Sequence, residues 1–100
     1  MASLKCQFMY NSDVPTYPVI NINGNGNIRI TINGETMNID NVVDKVTIDS
    51  KLMQVRNKDG ASKDNETNGN FPYFDYGINT VELSGNITNA EIKFTTNYKG

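Results

Sequence analysis

The chain has 100 residues, a formal net charge of −2 at pH 7 and a hydrophobic fraction of 37%. That length is one domain able to bury a core of its own, and the charge balance supplies no basic face of the kind that nucleic acid needs. No apolar run approaches a membrane span, the first residues lack the apolar core of a signal peptide, and the absence of His removes Ser–His and Cys–His nucleophile pairs, His metal ligands and a switch near neutral pH.

Met1-Ala2-Ser3 is compatible with an appended start. Residues 4–10 read as a first strand. Within it Cys6, the single cysteine, excludes an internal disulfide and is expected as a small buried core residue. A connection follows in which Pro15 and Pro18 hold the backbone extended. Residues 18–22 and 28–32 are the next strands. Ile20 and Ile22, then Ile28, Ile30 and Ile32, alternate with Asn21, Asn23, Asn27, Arg29, Thr31 and Asn33. Successive side chains of a strand point to opposite faces, so the isoleucines share a dry face and the polar residues a wet one. Gly24-Asn25-Gly26 reads as a loose turn between these two strands. Asn33-Gly34 reads as a tight one, because a type I′ hairpin turn needs positive φ at both central residues.

Residues 36–39 pair back through that hairpin. Residues 45–49 alternate again, with Val46 and Ile48 inward, and residues 52–56 follow. Residues 57–70 (NKDGASKDNETNGN) are almost free of apolar side chains and predict a mobile loop or the tip of a long hairpin. Phe71-Pro72-Tyr73-Phe74-Asp75-Tyr76-Gly77 is a compact aromatic cluster. Residues 80–83 place Val81 and Leu83 inward, Ser84-Gly85-Asn86 turns the chain, and residues 87–96 close it with Ala90, Ile92 and Phe94 on one face. No stretch has helical spacing. About eight short strands punctuated by turns predict an all-β fold, an antiparallel β-sandwich that buries alternate residues of two facing sheets. The abundant Asn suits either turn chemistry or an AT-rich coding bias.

The candidate chemistry is sparse. Asp40, Asp44 and Asp49 offer no acid pair with catalytic spacing and read as solvated strand ends. Asp64 to Gly69, with Asp75 beyond, approximates the oxygen spacing of a calcium loop, but Pro72 interrupts it and no helix flanks it. No metal ligand set and no cofactor is therefore expected. The sequons Asn65-Glu66-Thr67 and Asn86-Ile87-Thr88 follow from Asn richness. Tyr73 and Tyr76 are the candidate ligand-binding residues, for a saccharide or a protein partner. The blander reading makes the cluster a plug at one end of the sandwich, with Phe71 and Phe74 inward. Tyr17 and Tyr98 are further aromatics without an assigned role. The absence of Trp removes the ring most used to stack on sugars. An enzyme is not expected.

Five segments in order carry a resemblance. They are YPVINING from Tyr17, NIRITING from Asn27, VTIDS from Val46, GNFP from Gly69 and GINTVELSGNIT from Gly77. Together they resemble the C-terminal domain of siphophage distal tail (Dit) proteins, annotated among phage and prophage tail components, over nearly the whole chain from about residue 4. The resemblance implies a galectin-like or carbohydrate-module-like jelly roll. It also implies a non-enzymatic virion structural domain at the tail tip, in contact with other tail and baseplate proteins or, alternatively, with a host cell-wall saccharide. In such a parent a preceding domain forms a hexameric ring; without it the chain is either an excised fragment or a stand-alone product, and a domain cut from the ring can be a monomer because the ring contacts belong to the absent part. Assembly would take place in the bacterial cytoplasm. The finish from Phe94 to Gly100 departs from the aromatic, Arg-rich end common in such domains.

Overall fold

A computed structural model of the chain describes residues 2–11 and 14–93, residues 2–4 by their backbone alone. The expected inward Phe94, the last strand residues to 96, Tyr98 and the terminal finish lie outside the described residues. The fold is all-β. Among the described residues seven strands follow one another: β1 Ala2–Tyr10, β2 Val19–Ile32, β3 Glu35–Val42, β4 Lys45–Asp49, β5 Gln54–Asn57, β6 Thr67–Gly69 and β7 Gly77–Lys93. They form one open antiparallel sheet in the order β1-β7-β2-β3-β6, with β4 on β2 and β5 on β4.

Two long strands organise the rest. The last part of β2 pairs β3 on one edge, with Ile30 opposite Met37, and the first part of β7 on the other, with Ile30 opposite Leu83. The first part of β2 pairs β4, with Ile20 opposite Ile48, and the last part of β7, with Ile20 opposite Ile92. The 17 residues of β7 would span roughly 56 Å if straight, yet the molecule is only 41 Å in its longest dimension. The sheet must therefore bend, and the register breaks mark where: between Asn23 and Arg29 on β2. Bending brings the two halves face to face. Ile20, Ile22, Val46, Ile48 and Val55 of one half join Ile28, Ile30, Ile32, Met37 and Ile39 of the other in a single buried cluster. This arrangement is compatible with a β-sandwich built from one continuous sheet.

Two expected turns are thus corrected. Gly24-Asn25-Gly26 and Ser84-Gly85-Asn86 do not reverse the chain; both are bends inside continuous strands. At Gly85 φ is +123°, and a Cβ there would come within 2.7 Å of the Asn27 carbonyl oxygen. Only glycine tolerates both that backbone and that approach. Asparagines hold the same line. Asn25 Oδ1 accepts the Asp44 N–H at 3.0 Å, and Asn27 Oδ1 accepts the Asn41 N–H at 3.2 Å. Both donor residues, Asp44 and Asn41, have positive φ, 65° and 56°. The expected hairpin at Asn33-Gly34 forms, with φ of 53° and 85°.

Two other expectations change. Residues 57–70 are not a plain loop: they contain a 3₁₀ turn, Asp64–Glu66, and the edge strand β6 on β3. Cys6 is exposed, not buried. With Val81, Leu83, Ala90 and Ile92 it lines an apolar groove. There β1 extends its half of the sheet past β7, the last described strand of the facing half.

Candidate functional site

The aromatic cluster is built around Phe74. Phe74 and Thr16 exchange backbone hydrogen bonds at 2.9 and 3.0 Å, which ties residues 71–76 to the segment before β2. Phe74 is 0% exposed, and its ring meets Phe8 edge to face at 4.7 Å. In an extended run alternate side chains oppose one another, so a buried Phe74 turns Tyr73 outward. Tyr73 is 45% exposed and Tyr76 64%. The plug and the exposed rings therefore coexist: Phe74 seals, Phe71 is half-buried against the core, and the two tyrosines stay at the surface.

The candidates part company in detail. Tyr73 lies 6.1 Å from Tyr17, ring centre to ring centre, with planes tilted by 41°. Tyr73 also lines a cleft of about 240 Å³ with Asn33, Glu35, Phe71 and Asp75. Tyr76 is not among the residues lining that cleft. Tyr17, left without a role by sequence reasoning, is the neighbour that completes the exposed pair; no local signal links residues 17 and 73.

Two of the cleft's lining residues, Asn33 and Asp75, are held by Asn79. Asn79 is 1% exposed, and all of its polar capacity is engaged. Its amide donates to the Asp75 and Gly77 carbonyls at 2.8 and 3.1 Å, and its oxygen accepts from Asn33 Nδ2 at 2.7 Å and from the Asp75 N–H at 3.1 Å. Asn33 in turn accepts the Thr80 N–H at 2.9 Å. The β2–β3 hairpin and the aromatic segment are locked together by the bond between the exposed Asn33 and the buried Asn79.

A second polar assembly lies at β6. Lys63 is only 6% exposed, and its ammonium donates to Glu66 Oε1 at 2.9 Å and to the Asn41 carbonyl at 3.2 Å. Asn41 Nδ2 reaches the other Glu66 oxygen at 2.8 Å. These bonds, Lys63 first and Asn41 second, hold the Glu66 carboxyl below the usual carboxylate range. Asp64, the first position of the calcium-like pattern, accepts the Val55 N–H at 3.3 Å. Two of the pattern's positions, Asp64 and Glu66, are thus directed into separate local bonds. Asp44 pairs with Lys58 at 3.3 Å on the surface, and Asp49 Oδ1 accepts the Leu52 N–H at 3.0 Å in the β4–β5 turn.

Comparison with known proteins gives no match: no family model, no curated protein and no solved structure is similar to the chain. The class that the fold defines is an all-β domain.

Proposed function

We propose that this domain is a non-enzymatic recognition module of a phage or prophage tail tip, a distal-tail-type domain that works by surface contact with baseplate proteins or with the host surface. One observation carries the recognition reading: the Tyr17–Tyr73 pair is exposed on a frame fixed by the buried Phe74 and the Asn33–Asn79 network. Rings held in one orientation lose little conformational freedom on contact, which suits a docking surface. The tail-tip assignment rests on the ordered segments of the sequence from Tyr17 to Thr88.

A second reading has its own support. Tyr73 borders a cleft flanked by Asn33, Glu35 and Asp75, an aromatic platform beside polar groups, which is what a wall saccharide requires. Co-sedimentation of the purified domain with Gram-positive cell walls and pull-down with purified baseplate proteins separate the two. Wall binding lost in Tyr73→Ala, with the fold intact, supports saccharide recognition. Capture of a baseplate protein, weakened in the same variant, supports the docking reading. Failure of both assays removes the recognition role.

A further inference from the structure

The outward face of the second half-sheet carries a continuous polar rung. Arg29 on β2 lies opposite Ser84 on β7 and Asn38 on β3, and Asn38 lies opposite Asn68 on β6. Asn27, Arg29, Asn38 and Asp40 are shared by two hollows, of about 250 and 440 Å³, the larger walled by Glu66 and Asn68. The larger falls in the size range of small-molecule sites. None of its lining residues borders the Tyr73 cleft.

Two features distinguish this face from an ordinary solvated sheet. It has a buried support, since the nearly inaccessible Lys63 ammonium and Asn41 fix Glu66 in the wall. It also has unspent capacity. Arg29 bonds Asn38 through Nε alone, at 3.1 Å, so both of its terminal nitrogens lack a partner among the described residues, as does the Asp40 carboxylate. Arg29 is thus steered by one bond while its side chain stands exposed at the surface.

The charges select the ligand. Arg29 at the centre opposes a cation. Asp40 and Glu66 beside it oppose an anion, and Lys63 is already committed to Glu66. What remains is a neutral molecule rich in groups that donate and accept at once. Hydroxyls do both, and carboxamides such as those of Asn27, Asn38 and Asn68 present a donor and an acceptor side by side. We propose that this cleft is a binding site for a neutral, hydroxyl-rich saccharide, with Arg29 and Asp40 as its principal contacts. The site stands whether or not the domain belongs to a tail tip.

The test is an NMR titration of the ¹⁵N-labelled domain with neutral hexose and N-acetylhexosamine oligosaccharides at millimolar concentration. Calcium chloride and sodium phosphate are titrated separately. Amide shifts are expected at residues 27–29, 38–40 and 66–68. Arg29→Ala and Asp40→Asn, each with an unchanged unfolding midpoint, are expected to weaken binding roughly tenfold or more, while Lys51→Ala, on the exposed turn between β4 and β5, leaves it unchanged. Three results overturn the proposal: no shift with any sugar, shifts confined to residues 71–76 and lost in Tyr73→Ala, or shifts at the rung produced by calcium or phosphate instead of sugar. The second of these would leave the Tyr73 saccharide reading standing.

Discussion

At the bend, where β2 and β7 cross from one half of the sheet to the other, the chain is held by backbone conformation and by asparagine side chains that bond directly to backbone. At the far ends of β2, beside Thr16 and Asn33, it is held by packed rings and by the bond of Asn33 to the buried Asn79. The bend exposes its asparagines and needs little apolar area. The far end buries Phe74 and Tyr10 almost completely. The same domain is therefore closed at one end by geometry and at the other by volume, and the two ends should respond to different kinds of damage.

The largest expected effect is at the packed end. Phe74→Ala removes a fully buried ring and should cost about 3–5 kcal/mol, read as a shift in urea midpoint; a cost near that of a surface change would refute the plug. Gly85→Ala attacks the bend. It forces a side chain onto φ +123° and into the Asn27 carbonyl, and about 2–3 kcal/mol of lost stability is expected. If it proves neutral, the bend is softer than its geometry implies. Asn79→Ala empties the buried amide network and should cost about 2 kcal/mol, because the Asp75 and Gly77 carbonyls and the Asn33 amide lose their partner.

The smallest effect is electrostatic. Glu66 has a lowered pKa when folded, so the unfolded chain binds its proton first as the pH falls. Its contribution is therefore complete at neutral pH and fades as the pH drops below the ordinary glutamate value, about 4.3. Unfolding curves of the parent and Glu66→Gln should differ at pH 7 and converge in acid. A gap that stays constant with pH would assign the effect to packing.

The elements legible in the sequence were those coded by neighbours. The alternating isoleucines of β2, residues 45–49 as a strand and the turn at Asn33-Gly34 all depend on side-chain period or local φ. What local reading missed was coded across the chain. A Gly/Asn triplet suits a reversal and a strand bend equally well; the partners of β2 at residues 86–93 decide between them, and no nearby residue reports that pairing. Cys6 was expected inside because a free cysteine behaves as a small hydrophobe and is usually buried, but burial also requires a covering strand, and the described part of the facing half stops at β7. Tyr73 and Tyr76 were legible as exposed aromatics, whereas the Tyr17 contact and the Arg29–Asn38–Asn68 rung exist only once β2, β3 and β6 are in register. Much of the Asn abundance has a structural use in bonds at Asn25, Asn27, Asn33, Asn41 and Asn79.

Because β2 threads both halves and takes β7 as its partner from Val19↔Lys93 to Ile32↔Val81, the core lacks one wall until nearly the whole domain has left the ribosome. The hairpins β2–β3 and β4–β5 can form as they emerge, but along the other edge of β2 Ile30 waits for Leu83, Ile22 for Ala90 and Ile20 for Ile92. Folding should then be late, cooperative and slow for a chain of this size, and a nascent chain stalled before β7 should be a substrate for chaperones and proteases, not a half-built domain.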